Sequence, residues 1–203
     1  MTRVTFAALL LTVSVVGANA ACSDRADRLA RPTAVAFAAN GDVLVSDGYD
    51  NARVVRFSRD GAVIDEWGER GIAAGQFQTP HGIAVGPDGR IFVADRENGR
   101  IQVFDSNHRF VAEWKGDLIG RPWAVATDEK GNVFAVDGGD QSAARPRGGI
   151  VKLSPDGKVL ARFGTFGRNP GQLDSGHGIA VGKDGAVYVG DLEGRRIQKW
   201  VPR

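Results

Sequence analysis

With 203 residues, 42% hydrophobic and 25% charged, and a formal net charge of +2, the chain has the composition of a globular protein able to bury one sizeable core. Its positive residues are spread along the sequence instead of forming a basic stripe, so nucleic acid finds no electrostatic footprint, and the single cysteine rules out an internal disulfide.

The N-terminus differs from everything after it. Arg3 is followed by an uncharged run from Val4 to Val16 and then by Ala18-Asn19-Ala20, a small-x-small cleavage pattern. Residues 1–20 therefore read as a secretory signal peptide whose apolar part is too short to span a bilayer. Cys22 makes lipoprotein processing the rival reading, against which Asn19 stands where a lipobox wants an aliphatic residue. Cleavage after Ala20 is the expectation, giving a secreted or periplasmic product without a transmembrane span. Residues 21–31 form a polar leader.

From residue 32 onward one pattern recurs. In Thr79 to Asp105, the apolar run Ile83-Ala84-Val85 stops at Gly86-Pro87-Asp88-Gly89, a cluster that supplies turn dihedrals at little steric cost. Ile91 to Ala94 reads as a returning strand, and Ile101-Gln102-Val103-Phe104 as a third strand after a second turn. Phe110 to Trp114 forms a fourth. Related units occupy about residues 32–68, 80–115, 122–164 and 176–203. Their first strands open at Thr33, His81, Trp123 and His177, in steps of 48, 42 and 54 residues. Four short strands at such a period predict an all-β, propeller-like array of four blades. The connectors agree, since Gly75-Gln76-Phe77 and Gly171-Gln172-Leu173 precede a histidine by the same distance. The fourth unit ends after its third strand, so its outer strand is missing, and closure of the array is left open.

In an antiparallel blade the start of strand one and the turn after strand two lie at the same mouth. That rule gathers His81 and His177 with Tyr49 and Arg96, which follow second strands, and with the long loop from Gly138 to Gly149. Asp47, Asp95, Asp137 and Asp191 end the second strands. Their expected role is architectural, bonding turn backbone and pairing with arginines such as Arg53 and Arg100. For the histidines two readings stay open: polar residues lining a wet channel, or two ligands of a zinc site that needs three or four. His108 lies in a turn before an outer strand, remote from the channel. Alone, Tyr49 reads as a packed turn aromatic and Arg96 as one half of a surface ion pair.

These units resemble the NHL repeat over nearly the whole chain after the leader. SDGYDNARVVRFS, GQFQTPHGIAV and VADRENGRIQVF together resemble one enzyme family among the NHL proteins, the peptidyl-α-hydroxyglycine α-amidating lyases. The resemblance implies a six-bladed propeller with zinc on three histidines, calcium in the channel, and cleavage of a peptidyl carbinolamide to peptide amide and glyoxylate. It places the catalytic base on Tyr49, a functional arginine beside it on Arg96, and two zinc ligands on His81 and His177. Two blades expected before Pro32, carrying the first zinc histidine, have no counterpart, and Gly178 stands where the family has a calcium-binding aspartate. Zinc, on an incomplete ligand set, is thus the expected metal, and the calcium site lacks one of its ligands. A phenol acts as a base near neutral pH only if a cation such as Arg96 or zinc stabilises its phenolate.

The competing functional class is a non-catalytic periplasmic NHL scaffold that binds a peptide or protein across the blade mouth. A lactonase-like hydrolase ranks last, because its carboxylate ligand cluster is missing from the sequence.

Overall fold

The computed structural model describes residues 29–140, 144 and 146–202. The signal peptide, Cys22 and most of the polar leader lie outside the described residues, as does part of the Gly138–Gly149 loop.

Among the described residues the chain is all-β. Blade one comprises β1 (Ala34–Phe37), β2 (Val43–Asp47), β3 (Arg53–Phe57) and β4 (Val63–Trp67). Blade two comprises β5 (Pro80–Val85), β6 (Ile91–Asp95), β7 (Arg100–Phe104) and β8 (Phe110–Lys115). Blade three comprises β9 (Pro122–Thr127), β10 (Val133–Asp137), β11 (Gly149–Leu153) and β12 (Val159–Phe163). A short parallel pair, β13 (Thr165–Phe166) and β14 (Gln172–Leu173), leads to blade four, β15 (Gly176–Val181), β16 (Val187–Asp191) and β17 (Arg196–Trp200). Each blade is an antiparallel meander, and the fourth has three strands, as its sequence predicts.

The turn chemistry follows the sequence. At Gly41, Gly61, Gly89, Gly131, Gly157 and Gly185, the last residues of the strand-connecting turns, φ lies between 78° and 89°. A side chain is rarely tolerated there. In the β7–β8 turn that position is His108, whose φ is 64°.

The blades are arranged around a ring, each packing on the next through an apolar layer. Leu44 and Val54 of blade one meet Ile83, Val93 and Phe104 of blade two. Phe92, Ile101 and Val103 of blade two meet Val133, Val151 and Leu153 of blade three. Phe134, Val136 and Ile150 of blade three meet Val187 and Val189 of blade four. β1 packs on β5, β5 on β9 and β9 on β15, so the first strands stand innermost. Both faces of blades two and three are buried, and β6 and β10 are buried at every residue. Phe77 and Leu173, from the two Gly-Gln-apolar connectors, are fully buried plugs between blades.

The four aspartates have the architectural role their positions predict, and all are buried. One carboxylate oxygen accepts backbone N–H from the connector entering the blade: Asp47 from Ala30 at 2.8 Å, Asp95 from Gln78 at 2.9 Å, Asp137 from Arg121 at 3.0 Å and Asp191 from Ser175 at 2.8 Å. The other oxygen accepts an arginine: Arg53 at 3.2 Å, Arg100 at 2.8 Å, Arg162 at 2.7 Å and Arg196 at 3.0 Å. Each aspartate therefore ties connector, second strand and a later strand of its blade together, and the ion pair satisfies the charge that burial would otherwise penalise.

Candidate functional site

The mouth is built from equivalent positions of successive blades. Thr33, His81, Trp123 and His177, the four residues that open the first strands, line one cavity of about 200 Å³ on the ring axis. The aspartate that ends each second strand fixes the turn after it, which brings Tyr49 and Arg96 to the same rim.

His81 is held at both nitrogens. Nδ1 lies 2.7 Å from the backbone oxygen of Trp123, and Nε2 lies 3.0 Å from the Tyr49 hydroxyl. A carbonyl only accepts, so Nδ1 carries the proton, and the Nε2 lone pair accepts from the Tyr49 hydroxyl. The His177 ring stands 4.8 Å from that of His81, edge to face. Trp123 packs against both imidazoles, at 5.5 Å and 5.4 Å.

Arg96 lies between two aromatic faces, 4.7 Å from the Trp123 ring and 5.5 Å from the Tyr49 ring. Its Nε donates to Glu97 at 2.9 Å. Glu97 also accepts from Arg121, so one carboxylate steadies two guanidinium groups at the rim. Arg31 covers the Tyr49 ring from another side, 5.1 Å from its centroid.

The electrostatics keep the imidazoles neutral. Burial, then the Arg96 charge, push His81 down to about 4, against a partial counter-effect from the Trp123 carbonyl. His177 is lowered by the same two causes, burial first. Near neutral pH both therefore offer lone pairs, the form that ligates a metal or accepts a proton. Burial and Arg96 also lower Arg121.

The structure thus brings together all four residues that sequence reasoning placed here: Tyr49, His81, Arg96 and His177. His108 is elsewhere, between blades one and two. Its ring stacks 4.0 Å from Trp67, Nδ1 lies 2.7 Å from Asp65 and Nε2 lies 3.3 Å from Arg56. Sequence reasoning missed the parts played by Trp123 and Glu97. The available signal for Trp123 was its register, since it fills the strand-opening position that holds histidine in the flanking blades.

The donor set fits a metal in part. His81 Nδ1–H on a carbonyl is the arrangement that orients ligating histidines, leaving Nε2 as the donor, and His177 is adjacent. Among the described residues no group of three or more His, Cys, Asp or Glu side chains is gathered for a metal, so protein ligands beyond these two imidazoles would have to be of another kind.

A β-propeller with a mouth of imidazoles, phenol and guanidinium is the class that fold and site define. The profile of the NHL repeat matches residues 29–57 and 77–104, and the chain is an NHL-repeat propeller. In sequence it is 38% identical over 181 residues to peptidyl-glycine alpha-amidating monooxygenase of Mus musculus, covering 84% of this chain and 18% of that protein. It is 37% identical over 196 residues to peptidyl-alpha-hydroxyglycine alpha-amidating lyase 1 of Drosophila melanogaster, covering 87% of this chain and 36% of that one. The chain thus spans well under half the length of these relatives. In fold it is similar to the streptogramin B lyase structure, with a TM-score of 0.61 and 17% identity over 85% of this chain and 55% of that one.

Proposed function

We propose that the mouth is an amidating-lyase-like site that cleaves a peptidyl-α-hydroxyglycine to peptide amide and glyoxylate. The observation that carries this reading is the Tyr49 hydroxyl on His81 Nε2 at 3.0 Å, beneath Arg96 and beside His177. It is supported by the similarity of 37% to a protein named as that lyase.

In this reading Tyr49 acts as its phenolate, stabilised by the Arg96 charge over its ring, and accepts the proton of the substrate hydroxyl. As the C–O bond becomes a carbonyl, the C–N bond breaks and its electron pair leaves with the amide nitrogen, which takes that proton back from the Tyr49 hydroxyl. Trp123 holds Arg96 by its ring and His81 by its carbonyl, so the acceptor and the cation keep their positions.

His81 and His177 are the residues that would hold zinc, which when bound would supply Lewis-acid polarisation of a substrate oxygen. The single Nε2 lone pair of His81 serves either the Tyr49 hydroxyl or the metal. A metal held there would leave the phenol to face substrate. Gly178 brings no carboxylate for calcium. The proposal includes export, resting on residues 1–20.

A second reading, a non-catalytic scaffold that binds a peptide across the mouth, draws on the 38% exposure of Tyr49 between Arg31 and Arg96, an aromatic and cationic rim open to a ligand. The test is glyoxylate release from a peptidyl-α-hydroxyglycine by the wild type, Tyr49→Phe, His81→Ala and His177→Ala, with zinc content measured alongside. Release that falls at least a hundredfold in Tyr49→Phe is expected. Wild-type protein that binds the peptide but releases no glyoxylate replaces the lyase with the scaffold.

A further inference from the structure

Tyr49 lies between two guanidinium groups that differ in how firmly they are held. Arg96, 5.5 Å from the ring centroid, is wedged against Trp123 and tied to Glu97, and its side chain is 15% exposed. Arg31, 5.1 Å from the same centroid, keeps a side chain that is 68% exposed. Its ion pair is with Asp50, 3.1 Å away and itself 49% exposed. Pairs as open to solvent as this one are weak, so a carboxylate arriving from solution competes with Asp50 on near-equal terms.

The backbone of Arg31 adds a second observation. Its φ of 61° is a left-handed conformation that a side chain rarely adopts, and it stands before Pro32, where the chain prefers to be extended. The framework of blade one imposes this conformation. Ala30 N–H donates to the buried Asp47 carboxylate at 2.8 Å, and the Ala30 carbonyl accepts from the Asp50 N–H at 3.4 Å. A strained residue persists only where its surroundings hold it, and glycine would be the unstrained choice here. What arginine adds at this place is a guanidinium over the Tyr49 ring.

The substrate of the proposed lyase carries one group that the reaction described above leaves unrecognised. In a peptidyl-α-hydroxyglycine the hydroxyl and the C-terminal carboxylate stand on the same carbon. With the hydroxyl at the Tyr49 phenol, the carboxylate comes to the rim beside that ring. Arg96 already has a carboxylate in Glu97, which holds Arg121 as well. Arg31 faces solvent on another side of the ring.

We propose that Arg31 anchors the C-terminal carboxylate of the ligand, giving up Asp50 for it. The identity of that ligand, a peptide ending in α-hydroxyglycine, rests on the lyase reading. Cleavage sends the carboxylate away in glyoxylate, so the peptide amide loses its anchor and is held less tightly than the substrate. One side chain thereby distinguishes peptide acids from peptide amides.

Calorimetric binding of a peptide ending in glycine, as the free acid and as the C-terminal amide, tests the proposal in the full chain. The probe has no hydroxyl to eliminate, so binding is read apart from turnover. The wild type should prefer the acid by roughly tenfold. Arg31→Gly, which relaxes the backbone while removing the guanidinium, should lose that preference without a fall in the urea midpoint. Asp50→Asn, which removes the competing carboxylate, should strengthen acid binding and leave amide binding unchanged. A purely structural role for the Arg31–Asp50 pair would instead weaken both ligands in both variants. An acid preference that survives in Arg31→Gly, or a wild type without one, overturns the proposal. The lyase reading fails separately: acid preference without glyoxylate release keeps the anchor and removes the lyase. Glyoxylate release that does not depend on Arg31 keeps the lyase and removes the anchor.

Discussion

Acidification isolates the energetic signature of His81. Its folded-state value of about 4 lies below the ordinary 6.5, so between those values the unfolded chain binds more protons than the folded one. Stability contributed by the neutral imidazole is fully present above pH 6.5 and is lost as pH falls towards 4. Integrating one site with those two values gives a loss of about 2 kcal/mol between pH 7 and pH 5 and about 3 kcal/mol by pH 4. Burial and the Arg96 charge lower His177 as well, so the comparison needs a variant. His81→Gln removes the titrating group and keeps an amide that can donate to the Trp123 carbonyl. Urea denaturation of both proteins at pH 7, 5.5 and 4.5 should show the wild type losing more stability on acidification than the variant, by about 1 kcal/mol at pH 5.5 and more below it. Equal losses would refute a buried neutral imidazole at position 81.

Gly48→Ala places a Cβ 2.1 Å from the Pro80 carbonyl oxygen and should cost about 1–3 kcal/mol, read from the urea midpoint. Asp95→Asn leaves Arg100 with Glu113 as its carboxylate and removes the buried half of the network, and a loss of about 3 kcal/mol is expected in the same assay. His108→Ala keeps the left-handed backbone while losing the Trp67 stack and the Asp65 pair. His108→Gly loses the same contacts without the strain and should be more stable than the alanine variant by about 1 kcal/mol. Both should leave the zinc content unchanged, because His108 is outside the mouth.

The fold was legible because turn chemistry and strand period state the same thing. Asp88-Gly89 and Asp184-Gly185 mark the reversal between first and second strands, apolar runs of strand length flank them, and the unit recurs. The gathering of Tyr49, His81, Arg96 and His177 was legible for a topological reason, since strand-one starts and strand-two ends share a mouth in any such blade. What the sequence does not carry is the contact between blades. Nothing local in Pro122-Trp123 says that the tryptophan carbonyl sets a histidine tautomer in the preceding blade, or that the indole backs an arginine from it. Those are relations across 42 and 27 residues of chain, and the ring curvature decides them. His108 shows the converse. Its residue type points to chemistry, while its left-handed turn position, stacked on Trp67, makes it a clamp between blades one and two.

The division of labour within the repeat explains why one site can be so mixed in composition. In every blade the buried aspartate, its arginine and the connector N–H fix the end of strand two against the start of strand one, whatever side chain opens that first strand. The opening position is therefore not needed to fix the end of strand two, and it is occupied by threonine, histidine, tryptophan and histidine in turn. Because the framework holds these four positions on one axis, a substitution there changes the chemistry of the mouth without changing the blade. The dependence in the other direction is stronger. Loss of a framework aspartate would move the turn bearing Tyr49 or Arg96, and a shift of 1 Å in the 3.0 Å hydrogen bond between Tyr49 and His81 would break it. Function at this mouth is thus expected to fail through Asp47 and Asp95, which cannot touch a ligand, as readily as through the residues that can.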